Sequence, residues 1–414
     1  MYAVEPPGEW RKNWSVVLAA ALCLAFSTVP YVTVSIFLLP LHEEFGWSRT
    51  AITVSIPISG ITIALLSPLV GRLVDRIGAR RVGIAGGTLV CLCFALLSQI
   101  NGSILSYWAI WGFLSIGIAA SSPLVWTTGI TSRFKRHRGK ALALMFCGSS
   151  FSQALAVPGG VAAIEIVGWR GAYLLIAAAM GCVALPAAYW LFHDARDVSL
   201  QESNCPLPAG QLLQGMSVGE ALRTPHFWLM IGGVLFGSSV VLAAIVHFIP
   251  MQIDRGFSSM AAASAATAIP IAGAAGKLLS GVLLDRIRPA IVAGTIFLFA
   301  ATGFGLLMGD SGMSFWTVVL VAALIGIAAG AEVDVIAFLT ARYFGLRYYG
   351  SIYGLFFATY HIGISISPVA LSWVNDIYGN YAQAFPVLLG LCGLTILFFY
   401  ALVFLEPRHG QVRS

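Results

Sequence analysis

Twelve long runs of apolar residues dominate this chain of 414 residues and decide what it can fold into. A helix that crosses the hydrocarbon core of a bilayer needs about 20 consecutive apolar residues. The runs lie near 15–40, 50–71, 82–100, 105–131, 141–166, 171–193, 225–251, 261–283, 289–309, 315–340, 350–373 and 381–405. Because they are continuous and do not alternate with polar residues, they favour membrane-spanning helices over a β-barrel. The sequence therefore predicts an all-α membrane protein with twelve transmembrane helices.

The composition agrees with this class. Hydrophobic residues make up 58% of the chain and charged residues only 10%, whereas soluble domains carry about 25% charged residues. The first fourteen residues are polar and contain Pro6 and Pro7, so we expect no cleavable signal peptide. The seven cysteines are scattered without metal-like spacing. We therefore expect no disulfide framework, no bound metal and no cofactor.

Basic residues predict the orientation in the membrane. With the amino terminus in the cytoplasm, the inner segments hold 19 of the 23 lysines and arginines. This asymmetry follows the positive-inside rule and places both termini in the cytoplasm, with the protein in the inner membrane. The net charge of +6 then faces anionic lipid, so we expect a lipid bilayer and no nucleic acid as partner.

A repeat divides the chain into two halves. The segment GRLVDRIGARR starts at Gly71, and a weaker copy, GVLLDRIRPA, starts 210 residues later at Gly281. The predicted divisions are a cytoplasmic tail 1–14, a six-helix half 15–193, a cytoplasmic linker 194–224, a six-helix half 225–405 and a cytoplasmic tail 406–414. Repeats of this kind place a binding site at the interface of the halves, near the bilayer midplane.

The segment GRLVDRIGARR resembles the signature between helices 2 and 3 of the major facilitator superfamily. The resemblance covers the whole chain and implies a transporter fold. It implies that two aspartates cap a neighbouring helix start while arginines close the cytoplasmic face. The predicted cytoplasmic gate comprises Gly71, Asp75, Arg76, Arg80, Asp285 and Arg286. The alternative is that this cluster only anchors the chain on the inner side.

Two further stretches resemble one branch of that superfamily. GWRGAY begins at Gly168, and ARYFGLRYYGSIYG begins at Ala341. Both are similar to bacterial relatives of the monocarboxylate transporters and oxalate/formate antiporters. These motifs indicate a family and not a substrate.

Lys277 is the strongest candidate for substrate binding. It precedes Asp285 by eight residues, or about 12 Å of helix, which places it near the midplane of a core about 30 Å thick. Ionisable residues at this depth are functional candidates. In the resembled branches an arginine that binds the substrate carboxylate stands four residues before the equivalent of Gly281, where this chain has Lys277. The aspartate often found four residues earlier is replaced by Gly273. A structural ion pair with helix 10 is the alternative role.

Glu332 and Asp334 are candidates for proton coupling. Counted from Arg342, they lie about 15 Å and 12 Å deep, the depth of Lys277. Two residues apart on a helix means about 200° of rotation, so both cannot face one cavity. We expect one to pair with Lys277 or carry a proton and the other to bond a neighbouring helix. A static polar tie between helices is the alternative.

Two histidines extend the candidate site. His361 lies near mid-depth in helix 11, where the oxalate/formate branch often has a lysine, and Tyr360 beside it offers a hydroxyl. We predict substrate contacts for both, with a packed core histidine as the alternative. His247 lies three residues before Pro250 near the outer mouth. A proton-entry or outer-gate role is one interpretation, and an ordinary packing or interfacial histidine is the other.

Helices 1 and 4 supply uncharged polar groups. Tyr31, Ser122 and Trp126 are predicted substrate contacts that would orient a small anion. Each could equally tie helices together, as hydroxyl residues do in membranes.

The sequence thus predicts a secondary transporter for a small organic anion, a monocarboxylate, moved by alternating access with proton symport in a monomer. A pure anion exchanger would need only the cationic anchor. SQALAVPGG, ending at Gly160, partly resembles the helix-5 motif of drug antiporters, so efflux of an amphipathic compound is another alternative. A long soluble domain would favour a non-transporting sensor as a further alternative, and the sequence does not predict one. An enzyme is disfavoured, because no catalytic set or phosphate-binding loop appears.

Overall fold

The computed structural model describes residues 8–194, 214–309 and 313–405. Every regular element in these ranges is a helix, apart from one isolated β-bridge between Gly215 and Gly345. Eleven helical segments within them are long and apolar enough to cross a membrane. The predicted all-α membrane class is confirmed. Parts of the predicted tails and linker, residues 1–7, 195–213 and 406–414, lie outside the described ranges.

In the amino-terminal part of the chain, residues 8–194 form seven helices and one π-helical turn. The helices are α1 (Glu9–Phe45), α2 (Arg49–Thr53), α3 (Ser55–Ile77), α4 (Ala79–Leu97), α5 (Ile104–Ala120), α6 (Pro123–Arg133) and α7 (Arg138–Pro186), and the π-helical turn is Ala187–Leu191. α1 ends at Gly46, whose left-handed φ of 67° suits a glycine and terminates the helix.

The fifth and sixth predicted spans are joined in α7. This helix has 49 residues, or about 74 Å at roughly 1.5 Å per residue, enough to cross a bilayer twice. Gly168 interrupts it with a left-handed φ of 71°. The chain therefore turns at one glycine where the sequence predicted a short gap. Among the eleven apolar segments, Pro158–Leu191 includes the end of the fifth predicted span and most of the sixth, whereas residues 141–157 lie in none of them.

The fourth predicted span is divided into α5 and α6. Ser122 precedes Pro123, and a residue before proline is disfavoured in the helical conformation. Ser122 is accordingly extended, with φ −73° and ψ 171°, and Pro123 begins α6 without needing a backbone N–H partner. The break follows from the local sequence AASSPL.

The described residues of the carboxy-terminal part form eight further helices. They are α8 (Val218–Leu222), α9 (Pro225–Ile253), α10 (Ser259–Ala266), α11 (Ala268–Leu284), α12 (Pro289–Leu307), α13 (Phe315–Phe344), α14 (Tyr349–Tyr378) and α15 (Ala384–Leu405). The eighth predicted span comprises α10 and α11, which meet at Thr267.

The chain groups into two compact units. The first unit holds residues 1–215 and 345–355, and the second holds residues 216–344 and 356–414. The first residues of α14 therefore belong with the first unit, although the sequence predicted a single division at the linker. Within the first unit α1 packs most extensively against α7, and within the second unit α11 packs most extensively against α13.

Candidate substrate and coupling site

Glycines bring the backbones of α11 and α13 into direct contact. A Cβ atom added to Gly330 would lie 1.9 Å from the carbonyl oxygen of Gly273. At Gly276 it would lie 2.5 Å from the oxygen of Ile327, and at Gly326 it would lie 2.3 Å from the oxygen of Ile269. Small residues allow such close approach of membrane helices. The register between α11 and α13 is therefore fixed by three backbone contacts.

This register places Lys277 beside Asp334. Lys277 follows Gly273 by four residues, and Asp334 follows Gly330 by four residues, so each lies about one turn beyond the glycine contact. Lys277 is partly buried and close enough for its charge to act on the Asp334 carboxylate. Asp334 is fully buried, and neither carboxylate oxygen accepts a hydrogen bond within the described residues. Ser280 lies nearby, but its hydroxyl donates to the carbonyl of Lys277 over 2.9 Å.

Glu332 lies on the opposite side of α13. It is about 200° around the helix from Gly330, whereas Asp334 is only about 40° away. Its side chain is 3% exposed, and Oε1 has no hydrogen-bond partner among the described residues. From the sequence, either carboxylate could have been the neighbour of Lys277. Asp334 is that neighbour, because it lies on the side of α13 whose glycines contact α11.

His361 is a buried histidine among aromatic rings. Its ring centre lies 4.7 Å from that of Phe357 and 5.6 Å from that of Tyr360, both in edge-on arrangements. Nδ1 of His361 has no hydrogen-bond partner in the described part of the chain. α14 approaches α9 closely here, because a Cβ at Gly363 would lie 2.1 Å from the Ser238 hydroxyl. His361 and Tyr360 thus lie together, as their sequence positions require.

His247 is held by two other segments of the second unit. Nε2 lies 3.0 Å from the carbonyl oxygen of Pro368, which can only accept, so Nε2 carries the proton. Nδ1 then accepts from the Tyr381 hydroxyl over 2.9 Å. Partial burial, followed by two nearby aspartates, raises the pKa of Tyr381 and keeps it a donor. The arrangement favours a structural tie between α9, α14 and the turn before α15 over proton entry at His247.

The first unit holds the remaining predicted contacts. The hydroxyls of Tyr31 and Ser122 are both buried without a hydrogen-bond partner among the described residues. Tyr31 lies next to Ser59. Trp126 instead packs inward: its indole N–H donates to the Ser121 carbonyl over 2.7 Å, and its ring fills the space above Gly83. Trp126 therefore has a packing role, and its contact with substrate stays a prediction.

Asp75 caps the start of α14. Its carboxylate accepts from the backbone amides of Gly350 and Ser351 over 2.9 and 2.7 Å, and from the Ser351 hydroxyl. Gly71 makes this possible, because a Cβ there would lie 2.1 Å from the Gly350 oxygen. The interaction lies within the first unit, and a carboxylate at a helix amino terminus is electrostatically favourable. The gating role of these residues stays a prediction.

The other predicted gate residues differ in their surroundings. Arg76 and Arg286 are exposed, and Asp285 follows the last residue of α11. Arg80 donates to the Tyr189 carbonyl and lies 5.0 Å from the centre of that ring. We did not anticipate Tyr189 from the sequence, because more than a hundred residues separate it from Arg80.

Asp194 is a second capping carboxylate that the sequence analysis missed. It accepts from the amide of Ala79 over 2.8 Å and so caps the start of α4. Arg133 fixes the segment by donating to the carbonyls of His193 and Asp194, each at 3.3 Å. The signal available was an acidic residue at the end of the last apolar run of the first half.

The GWRGAY motif closes the opposite end of the first unit. Trp169 donates its indole N–H to Glu44, and Arg170 bonds the same carboxylate over 2.5 Å. Arg170 also stacks 4.2 Å from the Trp169 ring and donates to the Ile100 carbonyl over 3.3 Å. The motif thus ties α1 and the α4–α5 turn to the middle of α7.

Apolar spanning helices with ionisable side chains inside them, here a lysine beside a buried aspartate, are typical of a secondary transporter. The model of the Major Facilitator Superfamily matches residues 17–368 and, a second time, 262–414. The chain belongs to this superfamily and is a transporter, not an enzyme.

Three comparisons show what the chain resembles. It is 22% identical to the uncharacterised MFS-type transporter YhjX of Escherichia coli, covering 86% of this chain and 87% of that protein. It is 23% identical to monocarboxylate transporter 12-B of Danio rerio, and the match covers 92% of this chain and 84% of that protein. The solved structure of the E. coli fucose:proton symporter FucP matches with a TM-score of 0.67 at 15% identity, over 93% of this chain and 98% of that one. This last likeness confirms the fold alone.

Proposed function

We propose that the protein carries a small monocarboxylate across the inner membrane together with a proton. The observation that carries the proposal is Lys277, a cation at mid-membrane depth, beside a buried carboxylate, Asp334, that no hydrogen-bond donor satisfies within the described residues. Similarity to a monocarboxylate transporter over 92% of the chain supports the substrate class.

Charge balance explains why proton and anion would travel together. In the empty carrier, ammonium and carboxylate neutralise each other. A substrate anion that binds Lys277 would leave one net negative charge, which is costly inside the membrane. A proton on Asp334 removes that charge and frees Lys277 for the substrate. Both the empty and the loaded site are then neutral and can reorient by alternating access, with one proton carried per anion.

The proposal includes the predicted orientation, oligomeric state and partners. Both termini face the cytoplasm, the chain acts as a monomer, and its partners are the anion, protons and lipid. His361, Tyr360, Tyr31 and Ser122 remain proposed contacts. Their support is the burial of His361 and Ser122 and the buried polar atoms of His361, Tyr31 and Ser122 that have no hydrogen-bond partner among the described residues.

Efflux of an amphipathic compound receives no support from helix packing. The Pro158–Gly160 segment lies inside α7, and a Cβ at Gly160 would lie 2.9 Å from Ile36 of α1. Close packing of α1 against α7 accounts for the glycine without an antiport motif.

Uptake into proteoliposomes tests the anchor. We expect Lys277→Ala to reduce pyruvate or lactate uptake at least tenfold, since a hydrogen bond to a charged group contributes about 1.5–3 kcal/mol. Lys277→Arg should retain part of the activity, because it keeps the charge. Lys135→Ala, at an exposed lysine, is the matched control. Unchanged uptake by Lys277→Ala would refute the anchor, and binding without uptake by the wild type would indicate a sensor.

A pair of carboxamide variants tests the coupling. Asp334→Asn should abolish accumulation driven by an inward proton gradient while counterflow exchange of substrate continues. Glu332→Gln is the matched control, since Glu332 is equally buried on the opposite side of α13. Gradient-driven accumulation by Asp334→Asn would overturn the coupling role, and its loss only in Glu332→Gln would transfer that role to Glu332.

A further inference from the structure

The break between α5 and α6 creates a helix start in the middle of a membrane span. α6 contains 11 residues and ends at Arg133, so its first residue lies about 15 Å from that charged end. The hydrocarbon core is about 30 Å thick, which places the start of α6 near the midplane. Interrupted helices at this depth are where transporters bind ions and substrates.

Four carbonyl groups around the break, those of Gly117, Ile118, Ala119 and Ser121, already have donors. Ser121 donates its hydroxyl to Gly117 over 2.8 Å, and its amide bonds the Ile118 carbonyl over 3.2 Å. The Ser122 amide bonds the carbonyl of Ala119 over 3.4 Å, and the indole of Trp126 donates to the carbonyl of Ser121. Four acceptors that the proline and the break could have left exposed are therefore satisfied.

The hydroxyl of Ser122, at the break, is a donor that is not used within the described residues. Ser122 occupies the position before the first helical residue, where a serine side chain ordinarily accepts from a backbone amide. Here it makes no such bond, is 3% exposed, and its hydroxyl has no partner among the described residues. A buried hydroxyl without a partner is unfavourable, so this position suits a ligand that accepts a hydrogen bond.

Electrostatics select an anion as that ligand. The amino terminus of a helix carries a partial positive charge. The sequence contains no aspartate or glutamate between Arg76 and Ile164, a range that includes α4, α5 and α6 and the first half of α7. These helices therefore bring no acidic side chain that could neutralise the start of α6.

The second half of the repeat lacks this arrangement. At the 210-residue offset, Ser122 corresponds to Glu332 and Pro123 to Val333. α13 runs without interruption through that position from Phe315 to Phe344. The fold therefore does not require the break, since the described residues of the second unit continue as one helix through the equivalent position.

We propose that the start of α6, with the Ser122 hydroxyl as donor, is an anion-binding element of the first unit that receives the carboxylate of the transported compound. The carboxylate identity of the ligand rests on the proposed function, whereas the element itself is independent of Lys277. A carboxylate oxygen would accept from the Ser122 hydroxyl and lie on the axis of α6.

Calorimetric titration of the purified full-length protein in nanodiscs tests the element, with pyruvate and nitrate as probes. We expect Ser122→Ala to weaken pyruvate binding tenfold or more, and Lys277→Ala,Ser122→Ala to bind more weakly than Lys277→Ala by a similar factor. Ser121→Ala is the matched control, because its hydroxyl is already used by Gly117. Circular dichroism and melting temperature check that each variant is folded.

The outcomes separate this proposal from the proposed function. If Ser122→Ala binds both anions as the wild type does, or if Ser121→Ala causes the same loss, the element is refuted even when Lys277 proves essential for uptake. If the wild type binds nitrate but no carboxylate, and Ser122→Ala loses nitrate, the element stands and the substrate class fails. If the wild type binds neither anion, the element is refuted.

Discussion

Replacing Gly330 by alanine should separate the two helices that carry Lys277 and Asp334. The new Cβ would lie 1.9 Å from the Gly273 oxygen, and both contacting groups belong to main chain that cannot rotate away. Reaching an ordinary contact of about 3.4 Å requires a local displacement of about 1.5 Å. Overpacking of this kind costs about 1–3 kcal/mol.

The displacement should also change substrate binding. Two unit charges that move from about 4 Å to about 5.5 Å apart lose about 1 kcal/mol of attraction at an effective dielectric constant of about 20. In the proposed mechanism Asp334 competes with the substrate for Lys277. A weaker pair should therefore lower the apparent KM for the anion about fivefold while thermal stability falls.

Gly305→Ala on α12 is the matched control. Nothing lies within 4 Å of a Cβ at that position, so this variant should keep the wild-type KM and should not lose stability. The measurements are the melting temperature in detergent and initial uptake rates at fixed pH. If Gly330→Ala keeps both the melting temperature and the KM of the wild type, the backbone contact does not set the spacing of the charged pair.

Two further predictions concern the caps and ties of the first unit. Asp75→Asn should destabilise the protein by about 1 kcal/mol, since a neutral amide caps α14 less well than a carboxylate. Ser351→Ala should have a smaller effect, because the two hydrogen bonds from backbone amides to Asp75 remain. Thermal unfolding of each variant is the measurement. Arg170→Lys should lower the melting temperature because lysine cannot both bond Glu44 and stack on the neighbouring indole, whereas Arg49→Lys at an exposed arginine should not.

The apolar runs and the positions of mid-membrane charges could be predicted from the sequence. Runs of this length and hydrophobicity indicate membrane-spanning helices, and the few ionisable residues within them can be identified directly. The partner of Lys277 could not be chosen, because helical periodicity gives the angle between Glu332 and Asp334 but not the neighbour each one faces. That choice depends on backbone contacts at glycines of α11 and α13, between residues that lie more than fifty positions apart in sequence.

Residues with long-range partners were the hardest to place. Asp194 caps a helix that starts 115 residues earlier, and no local pattern marks that pairing. The ring of Trp126 fills a space that Gly83 on α4 leaves open, and the sequence did not show that packing. A glycine on a neighbouring helix leaves room for a large side chain. The sequence of one segment does not show which neighbouring helix carries that glycine.

The single-glycine turn in α7 has a practical consequence for mapping the topology of this protein. Gly168 joins two spans without any connecting loop, so that end of the hairpin offers no stretch for an inserted epitope or a protease site. An insertion there would break the Glu44 interactions of the adjoining GWRGAY segment. The turn at residues 101–103, between α4 and α5, is exposed, but the Gly102 carbonyl accepts from the Trp47 indole and the neighbouring Ile100 carbonyl accepts from Arg170, so an insertion there would also disturb contacts at this end.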